Sequence, residues 1–253
     1  MPGMYLIGVD FPPRGGTTSA GLAFLQFDGK AAFLKEYTTL SSLEDISLWI
    51  LDRCRFFGIV AVNAPYYFPR GKDPLDLAEK QMAERLAPYS PSKASNKSTY
   101  LGPSPRLQEF FQQLNEWEFD PDPFFQSRTL IRAWFEVSSQ ASQVAFFQVK
   151  KFLTPLQGDA KQRWKKLQEY QKQILEKLPE QEPPLLANAS LLSLSVFGAS
   201  AKGAAKGEAL EKVLNAVLCG YTGLYYWWWG SSRCQVFGAE SDRYIIAPNF
   251  PKS

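Results

Sequence analysis

FGIVAVNAPYYFP, residues 57–69, decides how the fold is read. A short apolar run of this kind forms an inner strand of an α/β sheet, and such sheets bind ligands beyond the carboxyl ends of their strands. Asn63 stands at that end, before Ala64 and Pro65. A carboxylate there is a ready metal ligand. An amide offers only a neutral oxygen and a nitrogen donor that a cation avoids. The competing reading is a plain turn, because Asn bonds its own backbone and the residue before a proline prefers extended geometry.

Working outward, Tyr5 to Val9 is a second short apolar run and ends on Asp10. Between the two lie Ser19 to Phe27 and Ala31 to Tyr37, which the Asp28-Gly29 pair joins as a hairpin. Ser41 and Glu44 have capping-box spacing and open a helix carrying Ile46, Trp49, Ile50 and Cys54 on one face. Strand, hairpin, helix, strand is the opening of an α/β domain whose first and last strands lie side by side in parallel. Asp10 and Asn63 then end adjacent strands.

Further along, Asp73 as cap and Pro74 at the first position start a helix running to Leu86. The polar stretch from Ser90 to Arg106 is a long loop with Lys93, Lys97 and Tyr100, and loops of this length act as lids or binding loops. Leu107 to Trp117 is a helix, and Leu130 to Val137 a strand with Glu136 near its end. The segment from Asp159 to Leu178 is a helix with Trp164, Leu167, Ile174 and Leu178 on its apolar face and a solvated charged face. The last helix runs from about Lys206 to Tyr226. Leu210, Leu214, Val217, Leu218 and Tyr221 form its apolar stripe, and Glu208, Glu211, Asn215 and Thr222 share a neighbouring one. The tail pairs SRCQVFG with RYIIAP as a hairpin.

Composition narrows the chemistry. With 253 residues, 45% hydrophobic and 21% charged, the chain reads as a single domain with a lid-like insertion over about 70–128. Zero histidines exclude Ser-His-Asp and Cys-His nucleophile systems, histidine zinc sites and histidine acid/base catalysis. A net charge of +3 leaves the partner open. Cys54, Cys219 and Cys234 lack metal-ligand spacing and read as reduced thiols of a cytoplasmic protein. MPGMYLIGVD lacks the basic region of a signal peptide, and Tyr225 to Trp229 falls short of a membrane span. That aromatic run is core or, where exposed, a protein contact.

In order and spacing, YLIGVD, VAVNAP, the Asp76 helix, FEVSSQ, KQRWKKL, LNAVLCGYTGL and GAESDRYIIAP resemble the domain of unknown function 429 family, predicted RNase H-like nucleases, over nearly the whole chain. The resemblance implies an RNase H-like α/β fold: a five-stranded mixed sheet flanked by helices. Acids at strand ends and on the last helix then hold Mg or Mn for phosphodiester hydrolysis of a nucleic acid. Carried onto this sequence, the catalytic positions are Asp10, Asn63, Glu136 and Asn215, and the metal ligands are Asp10 and Glu136, with Glu211 as a replacement carboxylate one turn from Asn215.

Asp10 and Glu136 match the family. Asn63 and Asn215 stand where it has Asp, Lys212 where it often has a second Asp, and Ser138-Ser139 where Tyr or His and Pro follow Glu-Val. Two-metal hydrolysis holds two cations about 4 Å apart, which several converging carboxylates make tolerable. Two amides and a lysine remove that compensation, so the site reads as degenerate. Lys212 either substitutes for the cation beside Asp10 or Glu136, or extends to solvent. Two other readings compete. One is a non-catalytic module binding nucleic acid or protein. The other is an actin-like-fold phosphotransferase, since GVDFPPRGGTTSAG is similar to a first phosphate loop, although FGASAKGAAKGE makes a poor second one.

Overall fold

The computed structural model describes residues 3–11, 19–64, 77–90, 105–153, 159–200, 204–239 and 244–251. The first apolar run is β1 (Met4–Asp10), followed by the hairpin β2 (Ala20–Phe27) and β3 (Ala32–Leu40). Asp28 closes the hairpin turn, its Oδ1 accepting from the backbone N–H groups of Lys30 and Ala31 at 2.8 and 2.9 Å. Gly29 supplies the left-handed residue at φ 98°. Helix α1 (Leu43–Arg53) is capped one residue later than the spacing predicts: Ser42, not Ser41, accepts from the Asp45 N–H. The decisive strand is β4 (Gly58–Asn63).

Helices α2 (Leu77–Leu86) and α3 (Pro105–Glu116), strand β5 (Arg132–Val137) and helices α4 (Ser139–Phe147) and α5 (Ala160–Lys177) follow. The chain ends with β6 (Leu185–Leu186), α6 (Ala189–Ser200), α7 (Ala204–Trp229), β7 (Cys234–Gly238) and β8 (Tyr244–Pro248). The Asp73-Pro74 helix start and the loop residues Lys93, Lys97 and Tyr100 lie outside the described residues.

The sheet has eight strands where five are expected, in the order β6-β3-β2-β1-β4-β5-β8-β7. The tail hairpin does form, but β8 also pairs in parallel with β5 through Glu136 and Val137, covering an edge that would otherwise expose backbone donors and acceptors. Two-residue β6 does the same at β3. Helices α4 and α6 went unread for one reason. In α4, Ser139, Ser142 and Gln143 are buried along with Ala141, Val144, Phe146 and Phe147, so no polar face sets a 3.6-residue period, and α6 is apolar around most of its sequence.

One core lies between the sheet and α5 and α7, with Leu6, Ala61, Phe135, Ile174 and Trp227 among its members. On the other sheet face Ile7, Val9, Val60 and Val62 pack under α1 and α3. The described parts of the expected insertion join the structure at two places: α3 in this second core, and α2 through Ala78 and Met82 with Phe237 and Ile245.

Helix α7 reaches the sheet closely because glycines line the contact. A Cβ on Gly8 would lie 1.7 Å from the Ala216 carbonyl oxygen, and one on Gly21 would lie 2.3 Å from that of Lys212. The aromatic run at its end is largely core. Tyr225, Tyr226 and Trp227 are buried, and Arg128 lies 4.2 Å over Trp228 while Arg233 lies 3.5 Å over Trp229. An exposed protein-docking surface over Tyr225 to Trp229 is therefore not what the fold builds. Among the described residues no helix is long and apolar enough to cross a membrane.

Candidate functional site

Parallel pairing sets Asp10 beside Asn63 at the carboxyl ends of β1 and β4. Residues in register point to one face, and here that face is the one α7 covers. Asn63 Nδ2 donates to Asp10 Oδ1 at 2.6 Å, and Asn215 Nδ2, from α7, donates to Asp10 Oδ2 at 3.1 Å. Each carboxylate oxygen is thus held by an amide.

The amide orientations are fixed from behind. The buried Tyr170 hydroxyl on α5 donates to Asn215 Oδ1 at 2.8 Å, and the Ser139 N–H at the start of α4 approaches Asn63 Oδ1 at 3.4 Å. With their oxygens turned to donors, both amides present N–H groups to Asp10. Tyr170 is absent from the apolar stripe as read from the sequence, yet it sits at the right spacing between Leu167 and Ile174. A hydroxyl on a buried face is the signal that could have found it, because such a hydroxyl needs a polar partner.

The remaining acids fall differently. The β4/β5 register pairs Glu136 with Val62, so period-two alternation sends Glu136 to the face of Val9 and Val60, opposite Asp10 and Asn63. It is buried there. Lys212 does not extend to solvent; it is 6% exposed, 3.1 Å from Glu208 Oε1 and 3.3 Å from Ser19 Oγ. Thr222, further along the stripe, meets Ser142 at 2.7 Å between α7 and α4. Glu211 Oε2 is buried without a hydrogen-bond partner among the described residues.

Burial pushes Asp10 up to about 7, against the pull of the two amides and the Lys212 charge. Burial likewise raises Glu211 to about 8, with the neighbouring Asp10 and Glu208 charges adding to the shift. Both groups hold protons in the folded chain over a range where the unfolded chain releases them, so stability falls as pH rises from about 4 through 7 and, for Glu211, on to about 8. The expected result is a thermal midpoint that declines over this range in the parent and declines less in Asp10→Asn, followed by circular dichroism. Parallel profiles would mean that Asp10 titrates at an ordinary value.

These residues do not fit a divalent metal. Each Asp10 oxygen accepts one amide N–H, which leaves a cation one remaining lone pair on each oxygen with the partial positive charge of a donor beside it. The orphaned Glu211 oxygen is the one feature in favour. Among the described residues no group of three or more His, Cys, Asp or Glu side chains is placed to hold a metal ion.

No family model matches the chain, and no curated protein matches it. Among solved structures it is similar to T. thermophilus RuvC in complex with a Holliday junction substrate, at 12% identity and a TM-score of 0.35, over 87% of this chain and 97% of that one. At that TM-score the functional reading rests on the site's own geometry.

Proposed function

We propose that this chain is an RNase H-like protein, of the kind found in the domain of unknown function 429 family, whose metal centre has become a hydrogen-bonded polar cluster and which does not hydrolyse phosphodiesters. One observation carries the reading: both oxygens of Asp10 are engaged by amide donors, from Asn63 and Asn215. The central strand order β3-β2-β1-β4-β5, with β2 antiparallel to both its neighbours, supports the fold assignment, as does a last long helix that brings Asn215 to the end of β1. The expected result in magnesium or manganese is no cleavage of DNA or RNA above that of Asp10→Ala. Turnover in the parent that disappears in Asp10→Ala overturns the reading.

A second, compatible reading is nucleic-acid binding without cleavage, favoured by α5. That helix carries six Lys and Arg against two Glu, exposes Lys161, Lys165 and Lys172, and touches the cluster through Tyr170. Each phosphate neutralised contributes about 0.7 to 0.9 to the slope of log affinity against log salt. Changing these three lysines to Glu is expected to weaken oligonucleotide binding and lower that slope by about 2. Equal slopes in parent and variant, measured by fluorescence anisotropy, would remove α5 from the interface.

A further inference from the structure

Each amide that holds Asp10 traces back to a backbone N–H group. On one side the trace is short: the Ser139 N–H approaches Asn63 Oδ1 at 3.4 Å, which leaves Asn63 Nδ2 for Asp10. On the other it runs through three helices. The Leu153 N–H, in the segment after α4, donates to Gln143 Oε1 at 2.8 Å. Gln143 is buried on α4, and its side chain hydrogen-bonds the fully buried Tyr170 hydroxyl of α5. Tyr170 donates to Asn215 Oδ1 on α7, and Asn215 Nδ2 donates to Asp10 Oδ2.

The direction of every link follows from the first. A backbone N–H only donates, so Gln143 Oε1 is an acceptor and Nε2 is the atom left for Tyr170. A hydroxyl oxygen that receives one hydrogen bond gives its own hydrogen to another partner, here Asn215 Oδ1. An amide whose oxygen is held in this way turns its N–H groups to Asp10. Turning Asn215 over would set its N–H groups against the Tyr170 hydrogen and leave buried donors unmet, at about 1 to 3 kcal/mol for each. The turned-over amide is the one that a cation beside Asp10 needs, because only its oxygen is a ligand.

We propose that Gln143 and Tyr170 are positioning residues that set the ligand class of the Asp10 site: the relay they form holds Asn215 as a donor and turns divalent cations away, and reversing the relay admits one. The inference rests on the reading of the Asp10 cluster as a site without metal.

Gln143→Glu replaces one nitrogen by an oxygen and reverses the relay. One carboxylate oxygen keeps the Leu153 N–H and the other takes the Tyr170 hydrogen. The Tyr170 oxygen is then left to accept from Asn215 Nδ2, which turns Asn215 Oδ1 to Asp10. The measurement is manganese titration near pH 8, above the value of about 7 to which burial pushes Asp10, followed by electron paramagnetic resonance of the free ion. Gln143→Glu is expected to bind manganese about tenfold or more tighter than the parent. Adding Tyr170→Phe cuts the relay and keeps the new charge, so the gain is expected to vanish.

No gain in Gln143→Glu overturns the proposal. So does a gain that survives Tyr170→Phe, which would make the added charge alone the attractor. Manganese bound by the parent and lost in Asp10→Ala overturns the reading of the cluster itself, and the relay falls with it. Tyr170→Phe alone keeps the shape of the core and tests the relay even where Gln143→Glu fails to fold. In its heteronuclear NMR spectrum the side-chain amide signals of Gln143 and Asn215 are expected to move while that of Asn63, held from Ser139, stays. Unmoved Gln143 or Asn215 signals overturn the proposal.

Discussion

Asn63→Asp combined with Asn215→Asp is expected to give the protein a manganese-dependent thermal stabilisation that the parent lacks. Each change replaces an N–H donor facing Asp10 with an anionic oxygen, so three carboxylates converge where one carboxylate and two amides now sit. Glu211, already strained by the Asp10 charge and lacking a hydrogen-bond partner for Oε2, lies one turn from Asn215 and can add a fourth. In metal-free buffer the variant melts lower than the parent, because buried carboxylates crowd and lose their hydrogen bonds. Saturation then reverses the order. Ligand at about 100 times its dissociation constant adds about 2.7 kcal/mol to the folded state, about 5 to 10 °C in a chain of this size. Lys212 should stay in the first version, since it pairs with Glu208 one turn away on α7 and its removal would leave that carboxylate without its cation. Equal manganese shifts in parent and variant would show that these positions form no metal site.

The second large effect is expected at Gly8. Helix α7 runs back along β1 so that Asn215 faces Asp10, Ala216 and Gly220 face Gly8, and Gly223 lies near Leu6. A methyl group on Gly8 would sit 1.7 Å from the Ala216 carbonyl oxygen and 2.5 Å from the Gly220 nitrogen. Backbone atoms of a 26-residue helix cannot rotate away as a side chain can, so the helix must shift as a body. Gly8→Ala is expected to cost at least the upper end of the roughly 1 to 3 kcal/mol typical of overpacking, read as a lower urea midpoint. Because the shift also draws Asn215, whose N–H holds the Asp10 titration down, away from Asp10, the variant should show a larger fall in stability as pH rises from 4 through 7. A loss below about 1 kcal/mol would mean that α7 sits further from the sheet than the glycines imply.

The neighbouring ends of β1 and β4 were legible because both facts involved are local. Each run is apolar and each stops on a polar residue, and an intervening hairpin and helix leave little choice but parallel pairing. Asn215 was legible as a polar residue beside a buried stripe. Glu136 was not placed correctly by its strand alone, because its face depends on register against β4, and a one-residue offset reverses every side chain. The eight-stranded sheet was hidden for a similar reason: β8 pairs with β5 across more than a hundred residues, and nothing in RYIIAP marks that partner. Tyr170 shows the opposite failure. Its position was visible in a periodic helix, but reading the stripe as purely apolar hid the hydroxyl that orients Asn215.

The replacement of a metal by amides can be tested most directly with a crystal of the parent soaked in manganese and measured for anomalous scattering. The expected map shows no anomalous peak beside Asp10, with the Asn63 and Asn215 nitrogens within hydrogen-bond distance of its two oxygens. A manganese peak bonded to Asp10, with either amide rotated so that its oxygen faces the ion, would contradict the account.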